Sequence, residues 1–414
     1  MNEKIFTVKE YDKIFAADIG KKNFDELIKF AKEFNGDDSD DIFKFIRLGY
    51  SHGDFVQMKN YVGLIQLPSG FQIEILPKIF NGDNDLDVKK IFIKMLRSLR
   101  NFKGRKLNDA DLYTSKMPLY EIFIRMYLEM LLTLIKRGLK SSYTLREDNL
   151  NFLKGKLLFN QQIRYNTIHR EKFFVLFDEY NLDRPEHRLI KSALIKLQQK
   201  SQNFTNRKLI YQMFAEFDFI EPSTNFAKDF AAVVIDRQNG EYKEIMKWTK
   251  IFLKDESVTS FAGISNAQAL LFPMEKLFEK YVASCLRENL IDYKVKLQVS
   301  EKYLFDAPQT FQLRPDILIK GVEKNFIADT KWKRLCNNPN VNYGISQADM
   351  YQMYAYAKKY DISRVILLYP AVDFFNDKIL YRADDNVEVK IFFIDLLNMA
   401  KTLSQLQNLL DTWN

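Results

Sequence analysis

Cysteine and histidine are scarce: Cys285 and Cys336 are the only thiols in 414 residues, and His52, His169 and His187 the only imidazoles. Two cysteines make no disulfide framework, and the scattered histidines leave no place where four zinc ligands lie close together. The same scatter argues against a histidine-metal nuclease or a Ser-His-Asp hydrolase. No Gly-x-x-x-x-Gly-Lys-Ser/Thr loop is present, so any nucleotide energy is expected to come from another chain. There is no uncharged apolar run of 18 residues, no charged leader followed by a long apolar core, and no repeat or low-complexity tract. The expectation is a protein without signal peptide or membrane span, located in the reducing cytoplasm.

Apolar residues are abundant, at 47% with 35 Phe and 21 Tyr, enough for the cores of two or three domains. The net charge of +8 is spread along the chain and suits a nucleic-acid partner through phosphate neutralisation. Lysine-rich chains from AT-rich genomes are equally basic without such a partner.

Three segments are expected. Residues 1–85 read as a β-rich module, with a helix at Phe24–Phe34 capped by Asn23 and a hairpin of two alternating runs, Tyr61–Leu67 and Phe71–Lys78, around Pro68-Ser69-Gly70. Residues 86–265 read as mainly helical, with amphipathic spacing at Asp87–Leu99 and Pro118–Leu139 and a stop at Gly138. Within it Asp178, Glu179 and Asp183 allow a second metal site, and Lys154, Lys156, Arg164 and His169 allow phosphate contacts. Caps, turns and a solvated face explain the same residues more simply. Residues 266–414 open on a helix from Pro273 to Leu286. Strands at Tyr293–Val299, Arg364–Tyr369 and Val387–Ile394 and a helix at Ser346–Tyr360 follow.

The chemistry concentrates in that last segment. Phe311–Lys320 and Phe326–Lys333 read as two strands joined through Gly321. Asp329 and Lys331 are two apart, so a period of two puts both on one face, and Asp316 lies in the facing strand. Two acids and a lysine suit metal-dependent phosphodiester hydrolysis: carboxylates hold Mg²⁺ or Mn²⁺, the cation acidifies water and polarises phosphate, and the lysine positions the water. The plainer alternative is a surface hairpin with an Asp329–Lys331 ion pair. Glu279, on the opening helix, is a further metal or catalytic carboxylate, or else a solvated partner of Lys276 or Lys280. Gln352 and Tyr356 share a helical face and either orient water beside the acids or simply pack.

Pro315-Asp316 with Asp329-Thr330-Lys331 resembles the PD-(D/E)xK nuclease motif. In order along the chain, Tyr61-Val-Gly-Leu-Ile-Gln66, Ile73–Lys78, Arg137-Gly-Leu139, Gly155-Lys-Leu157, Asp183–Lys191, Met274–Glu279, Leu313–Asp316, Ala328–Lys333 and Asp349–Tyr356 resemble McrC, the nuclease subunit of McrBC-type, including LlaJI-like, modification-dependent restriction systems. The resemblance implies an α+β multidomain chain: an N-terminal β-rich module, a helical middle and a C-terminal PD-(D/E)xK restriction-endonuclease-like domain. It implies a Mg²⁺-dependent endonuclease of antiviral defence, cutting modified double-stranded DNA, with Asp316, Asp329 and Lys331 on the catalytic pattern and Glu279 and Gln352 supporting it. It further implies an AAA+ GTPase hexamer of McrB type as partner, which binds the GTP and receives the N-terminal part of this chain. Two other readings remain: a non-cleaving adaptor that binds DNA and activates the partner NTPase, and a stand-alone repair nuclease.

Overall fold

The computed structural model describes residues 5–34, 46–50, 53–79, 84–98, 117–237, 239–254, 268–322, 324–371 and 379–413. The chain divides into two compact units, one made of residues 1–117, 263–265 and 269–414 and the other of 118–262 and 266–268. The expected segment 1–85 and residues 269–414 of the expected last segment therefore lie within one unit.

In the first unit, a four-stranded sheet has the order Ile5–Lys9, Gln72–Leu76, Tyr61–Gln66, Gln268–Pro273. Tyr61–Gln66 and Gln72–Leu76 form the expected antiparallel hairpin, and Ile5–Lys9 runs parallel to the second of them. Gly63 is obligatory here: its φ is +137°, and a Cβ would stand 1.9 Å from the Leu270 carbonyl oxygen of the neighbouring strand. A smaller sheet, Lys13–Phe15, Asp54–Met58 and Ile46–Tyr50, lies beside the helix Lys21–Phe34. That helix starts earlier than its apolar spacing indicates. Asn23 is inside its first turn, where the side-chain amide donates to the Ile19 carbonyl at 2.8 Å instead of capping the end. The preceding turn at Gly20, with φ of +80°, supplies the break.

The C-terminal part of the same unit is built on a six-stranded mixed sheet, ordered Lys294–Leu297, Ile317–Lys320, Asn325–Thr330, Arg364–Pro370, Glu388–Ile394, Leu380–Arg382. The first three strands are antiparallel neighbours, and the next two add in parallel. Val365 to Pro370 are all buried, which is why that strand reads as an unbroken apolar run and not an alternating one. Helix Gln347–Tyr360, capped by the Ser346 hydroxyl accepting from the Asp349 N–H at 3.1 Å, packs Met353, Tyr356 and Ala357 into the core with Ile327, Val365 and Leu367. Helix Met274–Asn289 and a last helix, Met399–Thr412, complete this part.

The expected long strand Phe311–Lys320 is broken in two. Gln309–Leu313 belongs to a separate hairpin with Lys302–Asp306, and the sheet strand begins only at Ile317. Pro315 has no N–H to give to a ladder, and the break leaves Asp316 at the mouth of the strand.

The second unit combines helices Leu119–Arg137, Pro185–Lys200, Phe204–Phe214, Phe226–Ala232 and Tyr242–Lys254 with a three-stranded sheet absent from the sequence reading: Ser142–Leu150, Phe173–Asn181, Lys156–Leu157, joined through helix Phe159–Asn166. Gly138, with φ of +90°, ends the long helix as expected. His187 is buried, with Nδ1 2.7 Å from the Leu182 carbonyl and Nε2 2.7 Å from the Tyr242 hydroxyl. The carbonyl only accepts, so Nδ1 carries the proton and Nε2 accepts from Tyr242, and burial keeps the ring neutral by lowering its pKa.

Candidate active site

Asp329 and Lys331 lie at the C-terminal end of a central strand, where its parallel neighbour still holds the backbone: the Lys331 N–H donates to the Leu368 carbonyl at 2.9 Å. Both side chains point to the same face. Lys331 Nζ stands 2.7 Å from Asp329 Oδ2, and donates to Gln352 Oε1 at 3.0 Å from the helix above. Asp316 is locked beside them. Its Oδ2 accepts from the Thr330 N–H at 2.9 Å and the Thr330 hydroxyl at 2.7 Å, so the residue between Asp329 and Lys331 fixes the facing acid.

The expected residues are brought into one network, though not all by direct contact. Glu279 touches Asp316 only through Gln298, whose side-chain amide donates to both the Glu279 carboxylate and, at 3.2 Å, to Asp316 Oδ1. Gln352 Nε2 donates to the Tyr356 hydroxyl at 2.7 Å, and Tyr356 donates to the Arg314 carbonyl at 3.0 Å, next to Pro315. Asp349 extends the network: it lies 2.8 Å from Lys333 Nζ and 3.8 Å from Lys331 Nζ. Asp349, Lys333, Gln298 and Thr330 were missed in the sequence. Asp349 and Lys333 had a local signal, the first three residues before Gln352 on one helical face and the second two after Lys331. Gln298 had none.

Electrostatically the site carries too little positive charge for its acids. Burial and the nearby Asp316 push the Asp329 carboxyl up to about 6, against the pull of Lys331. Burial, then Asp316, also raises Glu279. Burial disfavours the Lys331 ammonium, but Asp329, Asp349 and Asp316 outweigh it and raise its pKa, so the lysine stays charged. Asp349 is likewise buried, yet Lys333 and Lys331 hold it below the ordinary carboxylate range.

Among the described residues no group of three His, Cys, Asp or Glu side chains is placed to hold a metal ion, and Glu279 meets Asp316 through Gln298. Two carboxylates nonetheless fit a hard cation. Asp329 Oδ2 is buried, and beyond the 2.7 Å ion pair with Lys331 it has no hydrogen-bond partner. Mg²⁺ characteristically takes one or two carboxylates and keeps several waters.

Several of the acids and bases singled out in the second unit have partners of their own. Glu179 pairs with Arg146 at 2.9 Å and Asp183 with Arg188 at 3.2 Å. Lys154 lies over the Phe177 ring at 4.1 Å. No second cluster of metal-ligand type forms there among the described residues.

The fold is similar to that of a chain in the refined half-complex from a tetradecameric assembly of Thermococcus gammatolerans McrB AAA+ hexamers with bound McrC. That match has a TM-score of 0.72 at 21% identity, over 99% of this chain and 100% of that chain. A chain of the cryo-EM structure of the Thermococcus gammatolerans McrBC complex is similar over 70% of this chain and 89% of that one, at 24% identity and a TM-score of 0.48. No curated protein matches. The family model described as McrBC 5-methylcytosine restriction system component matches residues 56–370, well over half of the sequence. The chain therefore belongs to the McrBC 5-methylcytosine restriction system component family.

Proposed function

We propose that this chain is the nuclease subunit of its restriction system and hydrolyses DNA phosphodiester bonds at the Asp316, Asp329 and Lys331 site. The observation that carries the reading is the Lys331 ammonium, held at 2.7 Å by Asp329 and 3.0 Å by Gln352 at the mouth of the strand that Asp316 opens. A helix, three antiparallel strands, a helix and a parallel strand, in that order, support assigning the C-terminal part to the PD-(D/E)xK class.

Asp316 and Asp329 would hold Mg²⁺ or Mn²⁺, which when bound supplies Lewis-acid polarisation of the phosphate and a water of lowered pKa. The chain's own residues do the rest. Thr330 fixes the Asp316 carboxylate, Gln352 and Asp329 aim the lysine, and the Lys331 ammonium offers its remaining proton to the attacking water or to the charge growing on the phosphoryl oxygens. Glu279 acts through Gln298, orienting Asp316.

We extend to this chain the assembly of the Thermococcus gammatolerans structure, McrB AAA+ hexamers with bound McrC, as an AAA+ hexamer partner of McrB type. Binding and hydrolysis of GTP by that partner, its stimulation by this subunit and a modified double-stranded DNA substrate follow from the McrC resemblance. Besides residues 1–85, the second unit offers a surface for that contact. Tyr143, Leu145 and Tyr180 on its sheet and Phe159, Ile163 and Ile168 around its short helix are all exposed. Such a set of large apolar side chains is expected where another protein binds. The test is cleavage of modified and unmodified DNA with Mg²⁺, partner and nucleotide, by wild type and Asp329→Ala. Cleavage requiring partner, nucleotide and Asp329 supports the reading. Nucleotide hydrolysis stimulated equally by both proteins, with no cleavage by either, supports the adaptor instead.

A further inference from the structure

Beyond Thr330 the chain leaves regular structure, yet Lys331 and Lys333 must both project toward Asp349 and the acids. What holds this segment is the residue between them. Trp332 faces the opposite side, is buried, and packs on Phe278 with ring centroids 5.3 Å apart. Its indole N–H donates to Glu10 Oε1 at 2.9 Å. Glu10 comes from the other end of the sequence, just after the strand Ile5–Lys9, and is itself buried. Its backbone N–H donates to the Leu76 carbonyl at 2.9 Å, and its Oε1 also accepts from the Lys78 N–H at 3.0 Å, so its position is set by the N-terminal sheet. Its second oxygen, Oε2, is buried without a hydrogen bond. An acid buried at that cost, with one oxygen accepting from the indole of the residue next to the lysine, is more than packing requires.

We propose that Glu10 and Trp332 are positioning residues, through which the N-terminal sheet sets the alignment of Lys331 in the nuclease site. This rests on the nuclease reading given above. Neither residue touches the reacting atoms; both act by fixing the backbone from which the lysine projects.

The test is steady-state cleavage with partner, nucleotide and Mg²⁺ by wild type, Trp332→Phe, Glu10→Ala, Glu10→Gln and the double variant Trp332→Phe with Glu10→Ala. Phenylalanine keeps an aromatic ring against Phe278 but has no N–H to donate, and a glutamine oxygen still accepts from the indole. A displaced lysine is expected to cost kcat about tenfold or more, with KM for DNA and GTPase stimulation unchanged. Glu10→Gln keeps kcat near wild type, and the double variant falls no further than either single loss. Wild-type kcat in Trp332→Phe, or losses in the double variant that simply multiply, would overturn the inference. A wild-type protein that does not cut at all would instead overturn the nuclease reading on which it rests.

Discussion

Lys331 Nζ and Asp329 Oδ2 stand 2.7 Å apart in an ion pair whose acid is buried and whose members are two residues apart where the strand Asn325–Thr330 ends. Either the pair is structural or the lysine is held for catalysis, and the two alternatives separate on substitution. Under the nuclease reading, Asp329→Ala and Lys331→Ala each lower cleavage by about 10²- to 10⁴-fold while GTPase stimulation of the partner survives. Parallel assays of DNA cleavage and GTP hydrolysis check this, and cleavage persisting in both variants would end the nuclease reading.

The Asp329 carboxyl is pushed up to about 6 by burial and then by Asp316, so under the nuclease reading cation binding there would release a proton. Near pH 6 a sizeable share of the metal-free protein carries that proton. Titration of Mg²⁺ into wild type, in calorimetric buffers of different ionisation enthalpy, is expected to release protons, and Asp329→Asn is expected to release none. Uptake or release of equal size in both proteins removes Asp329 from the metal site.

Glu10 gives a stability prediction. Burial pushes its carboxyl up from 4.5 to about 7. The folded chain therefore keeps a proton that the unfolded chain gives up between these values, and the contribution of this group to stability falls as pH rises through that window. Glu10→Gln removes the charge and is expected to raise Tm by a few degrees at pH 8, with the gain vanishing below about pH 4.5. Thermal melts at the two pH values decide it, and an equal change at both would mean that burial does not raise the Glu10 carboxyl above its value in the unfolded chain.

Gln352 links Lys331 to Tyr356, and Tyr356 to the Arg314 carbonyl. Gln352→Ala removes the direct contact and should lower kcat about tenfold or more, whereas Tyr356→Phe removes only the second link and should cost a few-fold. Equal losses in the two variants would place the effect on helix packing.

The exposed aromatics of the second unit distinguish two partner surfaces. Tyr143 and Tyr180 pack together, ring centroids 5.0 Å apart, on exposed strands of its sheet. If this surface meets the AAA+ partner, Tyr143→Ser with Tyr180→Ser weakens co-assembly and GTPase stimulation by about tenfold or more, since buried aromatics at interfaces are each worth about 1 kcal/mol or more. Unchanged stimulation in that variant, with loss on removing residues 1–85, returns the contact to the N-terminal module.

The local sequence determined which residues share a face and where several of the strands and helices fall. A period of two paired Asp329 with Lys331, a period of 3.6 paired Gln352 with Tyr356, and the apolar runs at Arg364–Tyr369 and Val387–Ile394 marked the central parallel strands. Proline chemistry, fully present in the sequence, also explains why Asp316 begins a strand and does not sit within one. Tertiary structure alone decided what crosses between elements. Gln298 comes between Glu279 and Asp316, and Glu10 reaches Trp332 across 322 positions. These contacts depend on the register and packing of whole sheets, and no periodicity of a single segment encodes the distance to a partner brought in by another strand.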